Sequence, residues 1–275
     1  MAGKKDFVTK AFPQEKKSRS HVGFWVFSIS LLIVMFVLGR MFASHRAADA
    51  QLETDTTTDS AESIVEETTK EPLCDKNGNQ ITIVLDAGHG GEDPGKVGVH
   101  NELEKDINLS IVLQLKERLT EEGIRVVLTR ENDRVYTGEG NTSKKVADLK
   151  NRIQVMKDTD PVFAISIHQN SYTEPSVSGP QVFYHKDSVV GEELATVLQN
   201  NLIEDLNPAK KREIKSNGSY YLLKKTTVPL VIVECGFLSN EEEASLLATE
   251  EYQKKIVDSI CKGVLSYLIS AHIVL

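Results

Sequence analysis

The sequence has little of several features that mark common classes of protein. Only 3 of its 275 residues are cysteine, an odd set without metal-ligand spacing, which excludes a full disulfide framework. Cys235 and Cys261 lie in apolar stretches and are expected to be buried, and pairing of Cys74 with either stays open. Basic residues are outnumbered, because 32 Lys and Arg stand against 40 Asp and Glu and give a formal net charge of −8, so no nucleic-acid partner is expected. No internal repeat and no short metal motif such as His-Glu-x-x-His is present.

The N-terminal part has an uneven distribution of charge. Residues 1–21 carry a basic excess, whereas residues 22–39 have no charge and are rich in Val, Ile, Leu and Phe. This run is just long enough to cross a hydrocarbon core of roughly 30 Å, and no polar stripe marks it as a core helix. We predict a cytoplasmic leader over 1–21 and a transmembrane anchor over 22–43. A cleaved signal segment is the alternative, because the Ala-Asp-Ala sequence at residues 48–50 suits a signal peptidase.

Residues 44–80 read as an acidic, Thr-rich linker. Thr, Ser, Asp and Glu dominate residues 49–71, and such a composition cannot bury a core, so we expect an extended and disordered segment. The basic leader stays inside the cell, and everything after the apolar run is exported. The expected location is therefore the cell membrane, single-pass with the folded domain outside the cytoplasm, or secretion if the signal is cleaved.

From Ile81 onward the chain alternates strand and helix patterns. β-branched or apolar runs predict strands, and apolar residues three or four apart predict helices. Ser143 is a predicted helix cap, and Ser239 with Glu242 is a predicted capping box. The pattern indicates an α/β domain over 81–271, with a single mixed, mostly parallel sheet flanked by helices. The strands are expected at residues 81–85, 124–128, 162–167, 181–184 and 230–233, and the helices around 107–119, 146–156, 194–198 and 256–268.

Side chains suited to metal binding or proton transfer follow three of these strands. His89 comes after the first strand, His168 closes the third, and Glu234 closes the one after Pro229. Together with Glu104 they supply two histidines and a carboxylate for zinc, which acidifies its bound water to a pKa of about 7, and a further carboxylate to move the proton. This inventory suffices for metal-assisted amide hydrolysis. Ordinary loop histidines, and a structural ion pair at Glu234, are the alternatives that spacing leaves open.

Five segments match a known family in the same order along the chain, namely residues 85–91, 103–109, 128–130, 166–170 and 233–240. They resemble the zinc-dependent N-acetylmuramoyl-L-alanine amidases of bacterial cell-wall turnover. The resemblance implies that His89, Glu104 and His168 bind one zinc ion and that Glu234 is the general base. It selects Glu104 over Glu102 as the ligand, because the family's acidic ligand directly precedes a Lys-Asp or similar pair.

The resemblance also implies the reaction, which is hydrolysis of the amide between N-acetylmuramic acid and the L-alanine of the peptidoglycan stem peptide. A single anchor, a compact domain and the Cys-Gly-Phe-Leu-Ser-Asn sequence after Glu234 are most similar to amidases that modify spore cortex before germination. The rivals are a zinc peptidase acting on stem-peptide bonds and a non-enzymatic wall-binding module. Expected partners are peptidoglycan, the membrane and a regulatory protein of unknown identity.

Other positions receive structural or supporting roles. Arg130 and Arg152 are interpreted as ion-pair or capping residues, and Asp86 either as the acceptor that orients His89 or as a turn cap. Asn170 is expected to touch substrate or brace its loop. Gln169 departs from the Ala that is commoner in the family after the histidine. The short connection 169–178 leaves no room for the helix that covers the metal in some relatives.

Overall fold

A computed structural model gives the structure of the chain and describes residues 70–134, 136 and 143–274. The predicted leader, the apolar segment 22–43 and most of the predicted linker lie outside the described residues. Within the described part, no helix combines the length and the apolar character needed to cross a membrane. The fold below is therefore that of the described residues, which contain most of the predicted α/β domain.

One six-stranded sheet lies at the centre of this domain. The strand order is β2-β1-β3-β6-β4-β5, in which β2, β1, β3 and β6 are parallel and β4 runs antiparallel to β6. The predicted mixed sheet is thus confirmed. The strands are β1 (Thr82–Ala87), β2 (Arg125–Leu128), β3 (Ala164–Asn170), β4 (Gln181–Tyr184), β5 (Lys215–Ser216) and β6 (Leu230–Phe237).

Helices cover both faces of the sheet. Because side chains alternate along a strand, Ile83 and Leu85 of β1 join one hydrophobic cluster and Val84 joins another. The first cluster packs against α1, α3 and α6, and the second against α2 and α4. The helices are α1 (Glu104–Glu121), α2 (Lys144–Thr159), α3 (Val189–Leu206), α4 (Tyr221–Lys225), α5 (Glu241–Leu247) and α6 (Glu250–Ser270).

Local details differ from the sequence predictions in three places. β3 and β6 continue beyond their predicted ends, to Asn170 and Phe237, so His168 and Glu234 lie inside the strands and do not close them. Asn240, whose side chain accepts the N–H of Glu243, caps α5. The predicted cap, Ser239, instead accepts the N–H of Tyr172 at 2.9 Å. The short elements β5 and α4 were not predicted at all.

The end of the segment predicted as linker lies against the domain. Leu73 donates its N–H to Gly123 O at 2.9 Å, and Cys74 pairs with Gln80 in an isolated antiparallel bridge. Cys74, Cys235 and Cys261 are all described and all free, and the last two are buried. The disulfide that the sequence left open does not form.

Candidate metal centre and active site

The carboxyl ends of β1, β3 and β6 meet at one edge of the sheet because these neighbouring strands are parallel. His89 follows β1, and His168 lies in β3 directly opposite Glu234 of β6. Glu104 is the first residue of α1, which the chain reaches through the loop after His89. Residues far apart in sequence therefore come together at the place where ligands bind in α/β sheets.

His89, Glu104 and His168 lie close enough to share a metal ion. Each offers a ligand atom, and these atoms lie within 4.8 Å of one another. Oε1 of Glu104 is 3.2 Å from Nε2 of His89 and 3.0 Å from Nδ1 of His168. Burial raises the pKa of Glu104, but hydrogen bonds from His168 and His89 outweigh it and hold that pKa well below its usual range. The Glu104 carboxylate is therefore ionised at neutral pH and can coordinate a cation.

Asp93 orients the ring of His89. Its Oδ2 lies 3.2 Å from Nδ1 of His89, and an ionised carboxylate only accepts, so this contact needs a hydrogen on Nδ1. On the other side of the ring, Nε2 faces Oε1 of Glu104 at 3.2 Å. The donor set of two histidines and a carboxylate suits a divalent ion. The site can therefore bind a metal.

The backbone that carries His89 is held by two buried arginines. His89 has a φ of 61°, an unfavourable value for a non-glycine residue. Nη2 of Arg152 donates to His89 O at 2.7 Å, and Nη2 of Arg130 donates to Gly88 O at 3.1 Å. These bonds agree with the structural role that the sequence gave both arginines, and they fix the direction of the first histidine.

Asp86 does not contact His89, so its predicted role as the acceptor for that ring is wrong. It is fully buried and accepts from Nη1 of Arg152 at 2.7 Å, from Oγ1 of Thr129 at 2.6 Å, and from the hydroxyl of Ser166. Burial raises its pKa, but the Arg152 charge and the two hydroxyl bonds lower it to about 2. The orienting carboxylate is Asp93, which the sequence analysis missed because only the folded loop brings it to His89.

Glycines leave space for the ligand side chains. A Cβ added at Gly88 would lie 2.2 Å from Cε1 of His168. At Gly95, where φ is +69°, it would lie 2.5 Å from Oε2 of Glu104 and 2.7 Å from Cδ2 of His89. A side chain at either position would collide with a candidate metal ligand, so the close packing around these residues requires glycine at both positions.

Glu234 lies beside the candidate metal ligands, and one of its carboxylate oxygens is available for proton transfer. It is buried, and within the described part of the chain its Oε2 has no hydrogen-bond partner. Burial raises its pKa to about 7, an effect that the nearby His168 charge opposes and the Glu104 charge reinforces. A buried acceptor without a partner is costly, and a carboxyl group with a pKa near neutrality can both take and return a proton.

The remaining candidates have bracing roles. Glu102 lies before the start of α1, and its Oε2 accepts the N–H of His100 at 3.0 Å. Asn170 braces its own loop, since Oδ1 accepts the N–H of Ser171 at 2.8 Å. Asn108, four residues after Glu104 on the same helix face, also reaches the site, and that spacing is a signal the sequence contained.

A cleft of about 620 Å³ opens beside His89 and His168. One wall is the loop after β1, and the other is the start of α2 with Leu222 of α4. Charges face each other across it, with Lys144 2.8 Å from Glu92. The connection 171–180, which is fully described, contains turns and no helix. The cleft is large enough for a short peptide.

Comparison with known proteins identifies relatives of this domain. A family model described as N-acetylmuramoyl-L-alanine amidase (Amidase_3) matches residues 83–266. The germination-specific N-acetylmuramoyl-L-alanine amidase of Bacillus subtilis (strain 168) is 37% identical over 188 residues, which cover 67% of this chain and 78% of the relative. The CwlD amidase from Clostridioides difficile, solved in complex with the GerS lipoprotein, is 40% identical, with a TM-score of 0.67 and coverage of 70% of this chain and 100% of that one. AmiC2 of Nostoc punctiforme is 30% identical, with a TM-score of 0.60 and coverage of 69% and 97%.

The matched stretch begins inside β1 and ends inside α6, so it contains the sheet and the candidate site. The relatives are named for amidase activity, and the resemblance first seen in the sequence is confirmed. This chain is accordingly an enzyme that hydrolyses the amide between N-acetylmuramic acid and L-alanine. It belongs to the N-acetylmuramoyl-L-alanine amidase family.

Proposed function

We propose that the chain binds one zinc ion through His89, Glu104 and His168 and uses Glu234 as the general base for amide hydrolysis. The observation that carries this proposal is the convergence of three ligand atoms within 4.8 Å, beside a buried carboxylate with an unpartnered oxygen. Two histidines and one carboxylate, with a position left open, form a donor set of zinc hydrolases.

Each protein group has a distinct task in this reaction. When bound, zinc would supply Lewis-acid chemistry, which acidifies water and polarises the carbonyl under attack. Glu234 would take a proton from the attacking water at Oε2 and return it to the departing amine of L-alanine. Asp93 and Arg152 would keep His89 in the required tautomer and direction. The adjacent cleft would hold the stem peptide.

The zinc assignment is tested by metal analysis of the purified full chain. Wild type should hold zinc at about one ion per chain, and Glu104→Gln should lose it. Glu102→Gln is the matched control, because this residue lies two positions away and bonds only His100 in the loop. Loss of zinc from both variants, or from neither, would contradict the proposed ligand set.

The role of Glu234 is tested by digestion of purified peptidoglycan. Glu234→Gln should retain zinc and lose activity by about 10²- to 10⁴-fold. Mass spectrometry of wild-type digests should show free stem peptides with an exposed alanine amine. Equal digestion by wild type and Glu234→Gln would exclude this residue as the base.

The biological setting proposed for the enzyme is modification of spore cortex. Support comes from a relative named as germination-specific and from another solved with a lipoprotein, which also suggests a lipoprotein-like regulatory partner here. We further propose a single membrane anchor over residues 22–43 with the enzyme outside the cytoplasm. Spores from a strain lacking the chain should fail to germinate, and normal germination would contradict this setting.

A further inference from the structure

Two amide side chains lie behind the candidate metal ligands. Asn108 of α1 is fully buried, and Gln169 of β3 is 3% exposed. Nε2 of Gln169 donates to Oδ1 of Asn108 at 3.1 Å. Nδ2 of Asn108 in turn donates to Gly88 O at 3.1 Å and lies 3.5 Å from Oε1 of Glu104. The pair therefore links β1, α1 and β3 at the point where the ligands converge.

Gln169 contacts Glu104 by two routes. Its backbone N–H donates to Oε1 of Glu104 at 3.1 Å, and its side chain reaches the same oxygen through Asn108. The other oxygen, Oε2, accepts the N–H of Lys96 at 2.7 Å. Protein donors therefore surround the Glu104 carboxylate and fix its plane before a metal ion binds.

Burial of the amide pair at this position carries a free-energy cost. Oε1 of Gln169 is buried and lacks a hydrogen-bond partner among the residues that the structure describes, and such a group costs on the order of 1–3 kcal/mol. Packing alone does not require an amide here, since an apolar side chain of similar size would fill the space without that cost. A buried polar group with an unmet bond calls for a functional reason.

We propose that Asn108 and Gln169 are positioning residues that hold the Glu104 carboxylate in its metal-binding orientation and so set the zinc affinity of this chain. The inference rests on the proposed function, because it takes Glu104 to be a ligand. Removal of a donor that orients a metal ligand typically weakens metal binding by about 10- to 100-fold. Gln169 holds Asn108 in the rotamer that presents Nδ2 to Glu104.

The test measures zinc affinity by competition with a chelator, using the full chain. Gln169→Met keeps the size of the side chain and the backbone N–H but removes the Nε2 donor. Gln169→Ala is the second variant, because alanine is the commoner family residue at this position and the fold should accept it. Both variants should bind zinc about 10- to 100-fold more weakly, while the zinc-saturated enzymes keep their KM for peptidoglycan.

Gln199→Met is the matched control. Gln199 is also a buried glutamine, but its side chain bonds Val182 N and Pro180 O at 2.8 and 3.0 Å, with no bond to Glu104. This variant should lose stability and keep wild-type zinc affinity. Wild-type affinity in both Gln169 variants, or equal weakening in the Gln199 variant, would overturn the inference. Zinc retention by Glu104→Gln would instead overturn the proposed ligand set itself.

Discussion

At the scale of single residues, the absence of a side chain at Gly88 leaves room for the imidazole of His168. A Cβ at this position would approach Cε1 of His168 to 2.2 Å and Nε2 to 2.3 Å, so Gly88→Ala should push the imidazole out of place. We expect zinc to be lost and activity to fall by at least about 10²-fold, consistent with the cost of misplacing catalytic groups by about 1 Å. Zinc content and digestion rate measure both effects.

Gly218→Ala is the control for this prediction. The nearest atom to a Cβ there is Cδ of Lys186 at 3.8 Å, an ordinary contact distance. This variant should keep its zinc and its activity. If the Gly88→Ala protein still bound about one zinc ion per chain, His168 would have accommodated the new Cβ. The predicted loss of the site through this clash would then be wrong.

The sequence predicted the four main site residues, but not the groups that orient them. His89, Glu104, His168 and Glu234 stand in segments recognisable by their order along the chain. Asp93 stayed unnoticed because its relation to His89 depends on a loop whose path includes a strained φ at His89 itself. Even a partner only four residues away can be identified only once the path of the loop is known.

At the scale of elements, Asp86 ties β1 to its neighbours. It receives bonds from Arg152 of α2, from Thr129 after β2 and from Ser166 of β3. Asp86→Asn would remove one of the two carboxylates that pair with the buried Arg152, the other being Asp148 at 2.7 Å. This loss should lower the free energy of unfolding by about 2 kcal/mol at pH 7. Urea denaturation measures this change. Asp258→Asn, which removes an exposed partner of Lys254, should cost less than about 1 kcal/mol.

The same carboxylate gives the domain a specific pH dependence. Its pKa is about 2 in the folded protein against an ordinary value of 3.8. The stabilisation is therefore complete above about pH 4 and is lost as the pH falls towards 2, and its size is about 2 kcal/mol. The difference in unfolding free energy between wild type and Asp86→Asn should shrink over this interval. A difference that stays constant from pH 5 to pH 2 would contradict the proposed linkage.

Elements with many apolar residues were predicted best. The strand at 181–184 coincides with β4, and the other strands and long helices lie where periodicity placed them. β5 and α4 are too short to show a period. The cap of α5 was misplaced by one residue because Ser239 is engaged by Tyr172 from the β3–β4 connection, a contact that no local pattern contains.

At the scale of the whole molecule, the distribution of charge along the sequence supports the proposed membrane anchor. The basic excess of residues 1–21 precedes the uncharged run 22–39, and the chain as a whole has a net charge of −8. An arrangement of this kind favours a leader held inside the cell and an acidic domain held outside it. Because the substrate bond belongs to the cell wall, an enzyme tethered to the outer face of the membrane would meet it directly.

The proposed anchor is tested with arginine in its centre. Leu32→Arg together with Val34→Arg should abolish carbonate-resistant membrane association, since each arginine costs about 2.5–3.5 kcal/mol at the middle of a spanning helix. The control combines Leu32→Ile with Val34→Leu, which keeps the run apolar and should leave the chain in the membrane fraction. Mass measurement of the mature protein distinguishes the two routes of export, because cleavage after Ala50 would remove the run altogether. Recovery of the uncleaved wild-type chain in the soluble fraction would contradict the anchor.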